Sequence, residues 1–229
     1  MQQKKIYVDG VGEVFLTSRK GSKSLRISLK PDGRVVLNVP RGINLKFAQE
    51  FLKSKSNWIA LNKIQPKFLY PNQQIGKAHR IVFKVGTGTR ASARVANNTI
   101  KISSPTDNFH DPQVQSVAKK AAKKSLFLEA EMLLPQRLQQ ISDNLKLHYK
   151  SLQIKHHKTR WGVCDNQKNL TLNCFLMQLP WGVIDYVIVH ELAHTVYMSH
   201  SKKFWEFVEL NLPNAKVLRT ELKNYKPSF

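Results

Sequence analysis

The chain has 229 residues, of which 41% are hydrophobic, 9% aromatic and 23% charged, and this composition excludes global disorder while leaving room for one large domain or two small ones. Lys and Arg number 37 against 15 Asp and Glu, a formal net charge of +22. Such an excess predicts attraction to polyanions such as nucleic acid or an anionic surface.

The positive charge is concentrated toward the N terminus. Residues 1–160 carry 30 of the 37 basic residues and 9 of the 15 acidic ones, whereas residues 161–229 carry 7 and 6. We therefore expect any contact with nucleic acid to be made by the basic surface of residues 1–160. An equally good interpretation of the charge is a solvated surface that only keeps the protein soluble. The start of the chain lacks the apolar core of a signal peptide, and no window approaches a membrane span, so we expect a soluble cytoplasmic protein.

The first third of the chain predicts two hairpins and a helix. IYVDGVGEVFLTSR (6–19) indicates one hairpin, and the strands 24–30 and 34–40 flank the turn Pro31-Asp32-Gly33 of a second. After Pro40 the period becomes helical, with Asn44 as the expected N-cap. Phe47, Phe51, Trp58 and Ile59 are predicted to form the apolar face that covers the sheet.

The next segment returns to short strands, HRIVFKV (79–85) and TIKIS (99–103), with glycine and asparagine turns between them. SSPTDNFHDPQ (103–113) is polar, contains two prolines and is typical of a linker. We therefore expect a boundary there, between residues 1–105 and residues 111–229.

Two helices are predicted after this linker. Residues 114–134 have high helix propensity, and Pro135 is expected to end that helix and start a second one over 136–147. Four lysines of the first helix, Lys119, Lys120, Lys123 and Lys124, are predicted to form one exposed basic stripe.

Short strands follow. SLQIK (151–155) and FLMQL (175–179) are strand-like, and a hairpin is predicted between them. If 160–164 pairs with 170–174, Cys164 faces Leu170, and Cys174 faces Arg160. The cysteines are then not partners, and we expect both to be reduced and packed.

PWGVIDYVIVHELAHTVY (180–197) carries the candidate chemistry. Its length and its initial proline favour a helix that ends near Met198. His190 and His194 are one turn apart, so both imidazoles project from one face, while Glu191 lies about 100° further round. Zinc in such a site keeps one position for water, whose pKa it lowers toward about 7, and a neighbouring carboxylate accepts the proton. The pattern predicts the two histidines as ligands and Glu191 as general base.

Catalytic zinc normally takes three protein ligands, and His200 is the preferred third candidate. Ser201 directly after it is suited to cap the helix KKFWEFVEL and thereby to hold the backbone of His200. Glu206 and Glu209 on that helix remain alternative ligands. A buried helix whose histidines are satisfied by hydrogen bonds is the structural alternative.

Two other zinc sites are disfavoured. The spacing of the three histidines equals that of the metzincin signature HExxHxxGxxH, but Tyr197 occupies the glycine position, and no methionine follows Met198 to form a Met-turn. A closed structural site needs a fourth ligand, which Cys164 or Cys174 would have to supply.

At these residues the sequence resembles the YgjP-like metallopeptidase family, which is related to the SprT-like zincins. The matching segments are TRWGVC (159–164), NLTLN (169–173), VIDYVIVHELAH (183–194), HSKKFW (200–205) and, less specifically, SLKPDGRVVLNVPRGI (28–43) and KSKSNWI (53–59). The sequence departs from the family pattern at Val163, where serine is common, and at Cys174, where an aromatic residue is common.

The resemblance implies a zinc ion (Zn2+) held by His190, His194 and His200, with Glu191 as base. It also implies that the hairpin lies beside the active-site helix and that its edge strand binds an extended peptide.

Arg160 and Trp161 are candidates to line that cleft, with core packing as the alternative for Trp161.

These patterns and the resemblance predict an α+β protein. Residues 1–105 are expected to form a β-rich N-terminal region with a covering helix, and residues 111–229 a zincin-like helical domain with a small sheet and the HExxH helix. The predicted function is a zinc metallopeptidase acting on proteins or peptides. The alternatives are a basic nucleic-acid-binding protein, a protease acting on DNA-associated proteins, and an inactive zincin scaffold.

Overall fold

The computed structural model describes residues 4–18, 21, 24–30, 33–62 and 68–229, and the contacts divide the chain into two compact units, residues 1–67 and 68–229. Helices and three small sheets make an α+β protein, which confirms the predicted fold class. Within the described ranges, no helix is both long and apolar enough to cross a membrane.

The first unit contains a four-stranded sheet of order β1-β2-β4-β3 and two helices. Its elements are β1 (Lys4–Val8), β2 (Gly12–Ser18), β3 (Arg26–Leu29), β4 (Val35–Val39), α1 (Leu45–Ser54) and α2 (Ser56–Asn62). Both predicted hairpins are confirmed, because β1 pairs with β2 and β3 with β4 in antiparallel register. Pro31 and Asp32 of the second turn lie outside the described residues.

The predicted covering helix begins where expected, since the Asn44 side chain accepts a hydrogen bond from the Lys46 N–H. The prediction of its apolar face was partly wrong. Ala48, Leu52 and Ile59 are buried against the sheet, whereas Phe47 and Trp58 are exposed. Ala48 and Leu52 each come one residue after the predicted Phe47 and Phe51, so the buried face of α1 lies about 100° further round the helix than predicted.

The second unit begins with a four-stranded sheet of order β5-β6-β8-β7. Its strands are β5 (Gln74–Ile75), β6 (His79–Val85), β7 (Ser92–Ala96) and β8 (Thr99–Ser104). The predicted strands 79–85 and 99–103 are confirmed, while β7 was not predicted, since its five residues include one large apolar side chain, Val95. The boundary expected between 105 and 111 lies inside this unit, since Ile81, Ile100 and Ile102 share one core with the helix that follows.

That helix, α3 (Pro112–Leu145), is continuous. The prediction that Pro135 would separate two helices was therefore wrong. Leu126, Ala130, Leu134 and Leu138 are each fully buried at a spacing of four, so the packed face continues on both sides of the proline. This burial outweighs the one helical hydrogen bond that proline cannot donate.

A three-stranded sheet of order β10-β11-β9 follows α3. Its strands are β9 (Ser151–Lys155), β10 (Gly162–Cys164) and β11 (Asn169–Asn173). Cys164 faces Leu170 as predicted, and both cysteines are free.

The expected strand at 175–179 is instead a 3₁₀ helix, Cys174–Gln178. Asn173 caps it by accepting a hydrogen bond from the Phe175 N–H, which turns the chain away from β11.

Three helices complete the chain: α4 (Trp181–Ala193), α5 (Lys202–Asn211) and α6 (Ala215–Leu222). The helix predicted over 180–197 forms but ends earlier than Met198. The Thr195 hydroxyl donates to the Leu192 carbonyl in the last turn of α4, and Nδ1 of His194 lies 3.0 Å from the Tyr197 carbonyl in the loop that follows. Early termination places residues 194–200 in a loop that turns back over the end of α4.

Candidate metal centre

The three predicted histidines lie together. One ring nitrogen from each of His190, His194 and His200 forms a group whose atoms are all within 4.8 Å of one another. The Nε2 atoms of His190 and His200 are 3.1 Å apart. His190 is held by the last turn of α4, His194 by its C-cap, and His200 by the loop before α5, whose N-terminal cap is Ser201 as predicted.

The donor set fits a divalent metal ion. Two imidazole nitrogens that share a tetrahedral zinc at about 2.0–2.1 Å lie roughly 3.3 Å apart, close to the separation observed. Nδ1 of His194 lies 3.0 Å from the Tyr197 carbonyl oxygen, which only accepts, so Nδ1 carries the proton and Nε2 is free to coordinate. Burial and the neighbouring charges of His194, His200 and Arg219 lower the pKa of His190 to about 3, which keeps its ring neutral.

Neither glutamate alternative for the third ligand belongs to this group in the described part of the chain. Glu206 pairs with Lys202 at 3.6 Å, and Glu209 pairs with Lys216 at 3.1 Å. Both carboxylates are therefore engaged by lysines of α5 and α6.

Aromatic side chains of α5 enclose the histidines. Phe204 is fully buried, and its ring centroid lies 5.0, 4.6 and 4.9 Å from those of His190, His194 and His200. Trp205 stacks on His200 with centroids 5.5 Å apart and planes 18° apart. Sequence analysis did not single out either residue as part of the site, although both belong to the HSKKFW segment that carried the family resemblance.

Glu191 lies against the edge strand of the small sheet. It is 7% exposed, and its burial raises the pKa of the carboxyl group to about 8, against the opposing effects of the Arg160 charge and the Cys164 backbone N–H. A Cβ atom on Gly162 would come within 2.6 Å of the Glu191 side chain, so glycine permits this close approach. The observed packing brings the predicted base beside β10.

Two pockets open beside this cluster. The smaller, about 210 Å³, is lined by Glu191 and His190 together with Arg160, Trp161 and Gly162. Both predicted cleft residues therefore lie beside the candidate base. Trp161 is half-buried and also packs on the hydrophobic core, so the two interpretations of this residue are compatible.

The larger pocket, about 570 Å³, shares Trp161 with the smaller one and reaches His190 and His200. Tyr186 of α4, Trp205 of α5, and Arg219 and Lys223 at the end of α6 contribute to its wall. This pocket was not predicted, because α6 carries no motif.

A loop held by a buried carboxylate contacts the start of α4. Glu129 of α3 is 1% exposed and accepts backbone hydrogen bonds from residues 77–79, and His79 Nδ1 lies 2.5 Å from its Oε1. From this loop the Lys77 ammonium donates to the Leu179 carbonyl and lies 5.0 Å over the Trp181 ring. The β5–β6 sheet is thereby tied to the N terminus of the helix that carries the histidines.

A helix that presents two histidines and a buried glutamate, with a third histidine folded back from the next loop, is the kind of site found in metal-dependent hydrolases. The comparison with protein families agrees, because the model described as YgjP-like, metallopeptidase domain, matches residues 23–225. The chain belongs to the YgjP-like metallopeptidase family and is a metallopeptidase, which confirms the resemblance seen in the sequence.

One solved structure is similar to part of this chain. The crystal structure of the metallopeptidase zymogen of Pyrococcus abyssi abylysin shares 23% identity, covers 40% of this chain and 93% of its own, and superposes with a TM-score of 0.37. A search of curated proteins found no match.

Proposed function

We propose that this protein is a zinc-dependent metallopeptidase with His190, His194 and His200 as ligands and Glu191 as general base. The convergence of the three imidazoles supports this proposal most directly, because three neutral nitrogen donors that leave one position open are the donor set of catalytic zinc. We assign this machinery to the second unit, residues 68–229, where all four side chains lie.

Zinc bound at these histidines would lower the pKa of a water molecule toward about 7 and polarise the substrate carbonyl. Glu191 would accept a proton from that water and pass it to the leaving amine, since the positive charge of a bound zinc ion would lower the raised pKa of its carboxyl group and leave it ionised. The Cys164 backbone N–H donates a hydrogen bond to the Glu191 carboxylate, and Gly162 leaves room for it because glycine has no side chain. An extended peptide pairs with β10, the edge strand, so that Arg160 and Trp161 contact it beside Glu191.

Metal analysis and turnover by matched variants test the proposal. His190→Ala should lose zinc and activity together, whereas Glu191→Gln should retain zinc and lose at least about a thousandfold in kcat, since it removes the proton acceptor alone. His148→Ala, which alters an exposed histidine of the α3–β9 loop, serves as the control. Unchanged zinc content in His190→Ala, or full turnover in Glu191→Gln, would contradict the assignment.

We propose polyanion binding as a second function, and one observation supports it. The outward face of the sheet β6–β8–β7 carries Arg80, Lys84, Arg94 and Lys101, and Arg94 lies directly opposite Lys101. Like charges in direct register are destabilising unless an anion lies between them. A pocket of about 270 Å³ is lined by both cations together with Ala96, Asn97 and Thr99.

Binding of single-stranded and duplex DNA at several salt concentrations tests this second function. Affinity should fall steeply with salt, and Arg94→Gln combined with Lys101→Gln should reduce both the affinity and the slope. Lys216→Gln, which removes one charge from α6, is the control. Absence of binding at low salt would eliminate this function and leave the peptidase proposal intact.

A further inference from the structure

The 570 Å³ pocket beside the histidines combines cationic and aromatic side chains, and among the described residues no carboxylate lines it. Arg219 and Lys223 stand one turn apart at the end of α6, so both face the same space. In the part of the chain that the structure describes, neither forms an ion pair with an acidic side chain. Two cations therefore point into a pocket that offers them no internal anion.

Arg219 is held in place by stacking. Its Cζ lies 4.0 Å from the centroid of the Trp205 ring, and that ring in turn stacks on His200. A guanidinium on an aromatic face is restrained by the cation–π contact, while the N–H groups at its edge remain free to donate. The stack therefore sets the position of Arg219 relative to the metal-binding histidines.

We infer that Arg219, assisted by Lys223, binds a carboxylate of the peptide substrate in this pocket. A planar guanidinium binds a carboxylate through two parallel hydrogen bonds, and carboxylates are the common anionic groups of peptides. The same pocket reaches His190 and His200, so the acidic group belongs either to a side chain close to the cleaved bond or to the free C terminus of the peptide. This inference rests on the proposed function, because it names the substrate class of the same site.

Peptide binding, measured by calorimetry without turnover, tests the inference. The protein is zinc-loaded Glu191→Gln, with metal-free wild type in parallel. In the first set, end-capped peptides of neutral sequence carry a single Glu at successive positions, and each is compared with the peptide that has Gln at that position. In the second set, a peptide with a free C terminus is compared with the same peptide as an amide. In at least one of these pairs, the peptide that carries the additional carboxylate should bind about tenfold more tightly than its neutral counterpart. The set that shows the difference identifies the source of the carboxylate.

Variants connect that preference to Arg219. Arg219→Gln should abolish it, and Arg219→Lys should retain part of it, because lysine keeps the charge but loses the fork and the stacking. Lys216→Gln, which removes a charge from the same helix at a residue paired with Glu209, should leave the preference unchanged. Thermal unfolding and zinc content of each variant establish that it folds, and if Arg219→Gln does not fold, Arg219→Lys and Lys223→Gln carry the test.

Three outcomes would overturn the inference: no peptide binds, no pair differs in the proteins that keep Arg219, or the difference persists when Arg219→Gln is introduced. Failure of the proposed function is distinguishable from these. Zinc retained by His190→Ala or turnover retained by Glu191→Gln would refute the catalytic assignment, while a carboxylate preference that depends on Arg219 in the metal-free protein would still stand.

Discussion

Gly162 lies directly against Glu191, so that a Cβ atom built on the glycine would come 2.6 Å from Cγ and 2.6 Å from Oε1 of the glutamate. Real Cβ atoms do not approach other atoms so closely, and any side chain at this position would displace the carboxylate. The edge strand β10 therefore determines where the candidate base lies.

Gly162→Ala should lower kcat by about 10- to 100-fold while zinc content remains unchanged, because displacement of a catalytic group by a fraction of an ångström is enough for such a loss. Steady-state kinetics together with metal analysis measure this. Gly88→Ala is the matched control, since the nearest atom to its new Cβ would be the Arg90 carbonyl at 3.7 Å. A Gly162→Ala enzyme with wild-type turnover would contradict the role of the close contact.

Zinc should stabilise the folded protein, because three ligands from α4 and the following loop converge only in the native state. At free zinc about a hundred times the Kd, linkage gives about 2.7 kcal/mol, which raises Tm by roughly 5–10 °C for a chain of this size. Thermal unfolding with zinc and with a chelator checks this. His200→Ala should respond much less, His148→Ala should respond as wild type does, and an equal shift in all three proteins would argue against the triad.

Phe204 is predicted to matter both for stability and for metal affinity, because it is fully buried and its ring contacts all three imidazoles. Phe204→Ala should lower the free energy of unfolding by about 3–5 kcal/mol and weaken zinc binding. Leu210→Ala on the same helix should change stability by less than about 0.5 kcal/mol, since Leu210 is 82% exposed. Urea unfolding and zinc titration measure the two effects, and similar values for both variants would refute the prediction.

Glu129→Gln should destabilise the second unit by about 2–4 kcal/mol, because the buried carboxylate accepts three backbone hydrogen bonds and lies against His79. The loss is measured as a lower urea midpoint. Glu131→Gln, an exposed change two residues along α3, is the control. Equal urea midpoints for Glu129→Gln and Glu131→Gln would show that the Glu129 carboxylate is dispensable.

Cys164 should react slowly with alkylating reagents. Burial, with smaller contributions from the Glu191 and Asp165 charges, raises the pKa of its thiol to about 11. A raised pKa keeps the thiol protonated at pH 8, so the thiolate fraction is about a hundredfold below that of an unperturbed cysteine, and the rate should rise with pH until about pH 11. Iodoacetamide labelling followed by mass spectrometry of the native protein tests this, with free glutathione as the reference thiol.

Local patterns were predicted well because neighbouring residues determine them. Alternation and turn chemistry identified both hairpins of the first unit, and the register of Cys164 opposite Leu170 followed from counting residues across a turn. Helical spacing alone placed His190 and His194 on one face. The prediction failed at Pro135 because tertiary packing overrode a local signal, since the buried face of α3 continues past the proline. It failed at 175–179 for a local reason, because the Asn173 cap starts a 3₁₀ helix in place of a strand.

The amino-acid sequence by itself determined the α+β class, the family, and the identity of the candidate ligands and base, because these depend on residue type and on spacings of a few positions. Only the tertiary structure decided that His200 folds back to the other two histidines, that Phe204 encloses them, that Gly162 lies against Glu191 and that Arg219 reaches the same pocket. Those contacts join different helices, strands and loops, and their geometry is set by where α4 ends and by how α5, α6 and β10 pack around it. Such packing arises from the sum of many small apolar contacts, which no short stretch of residues encodes.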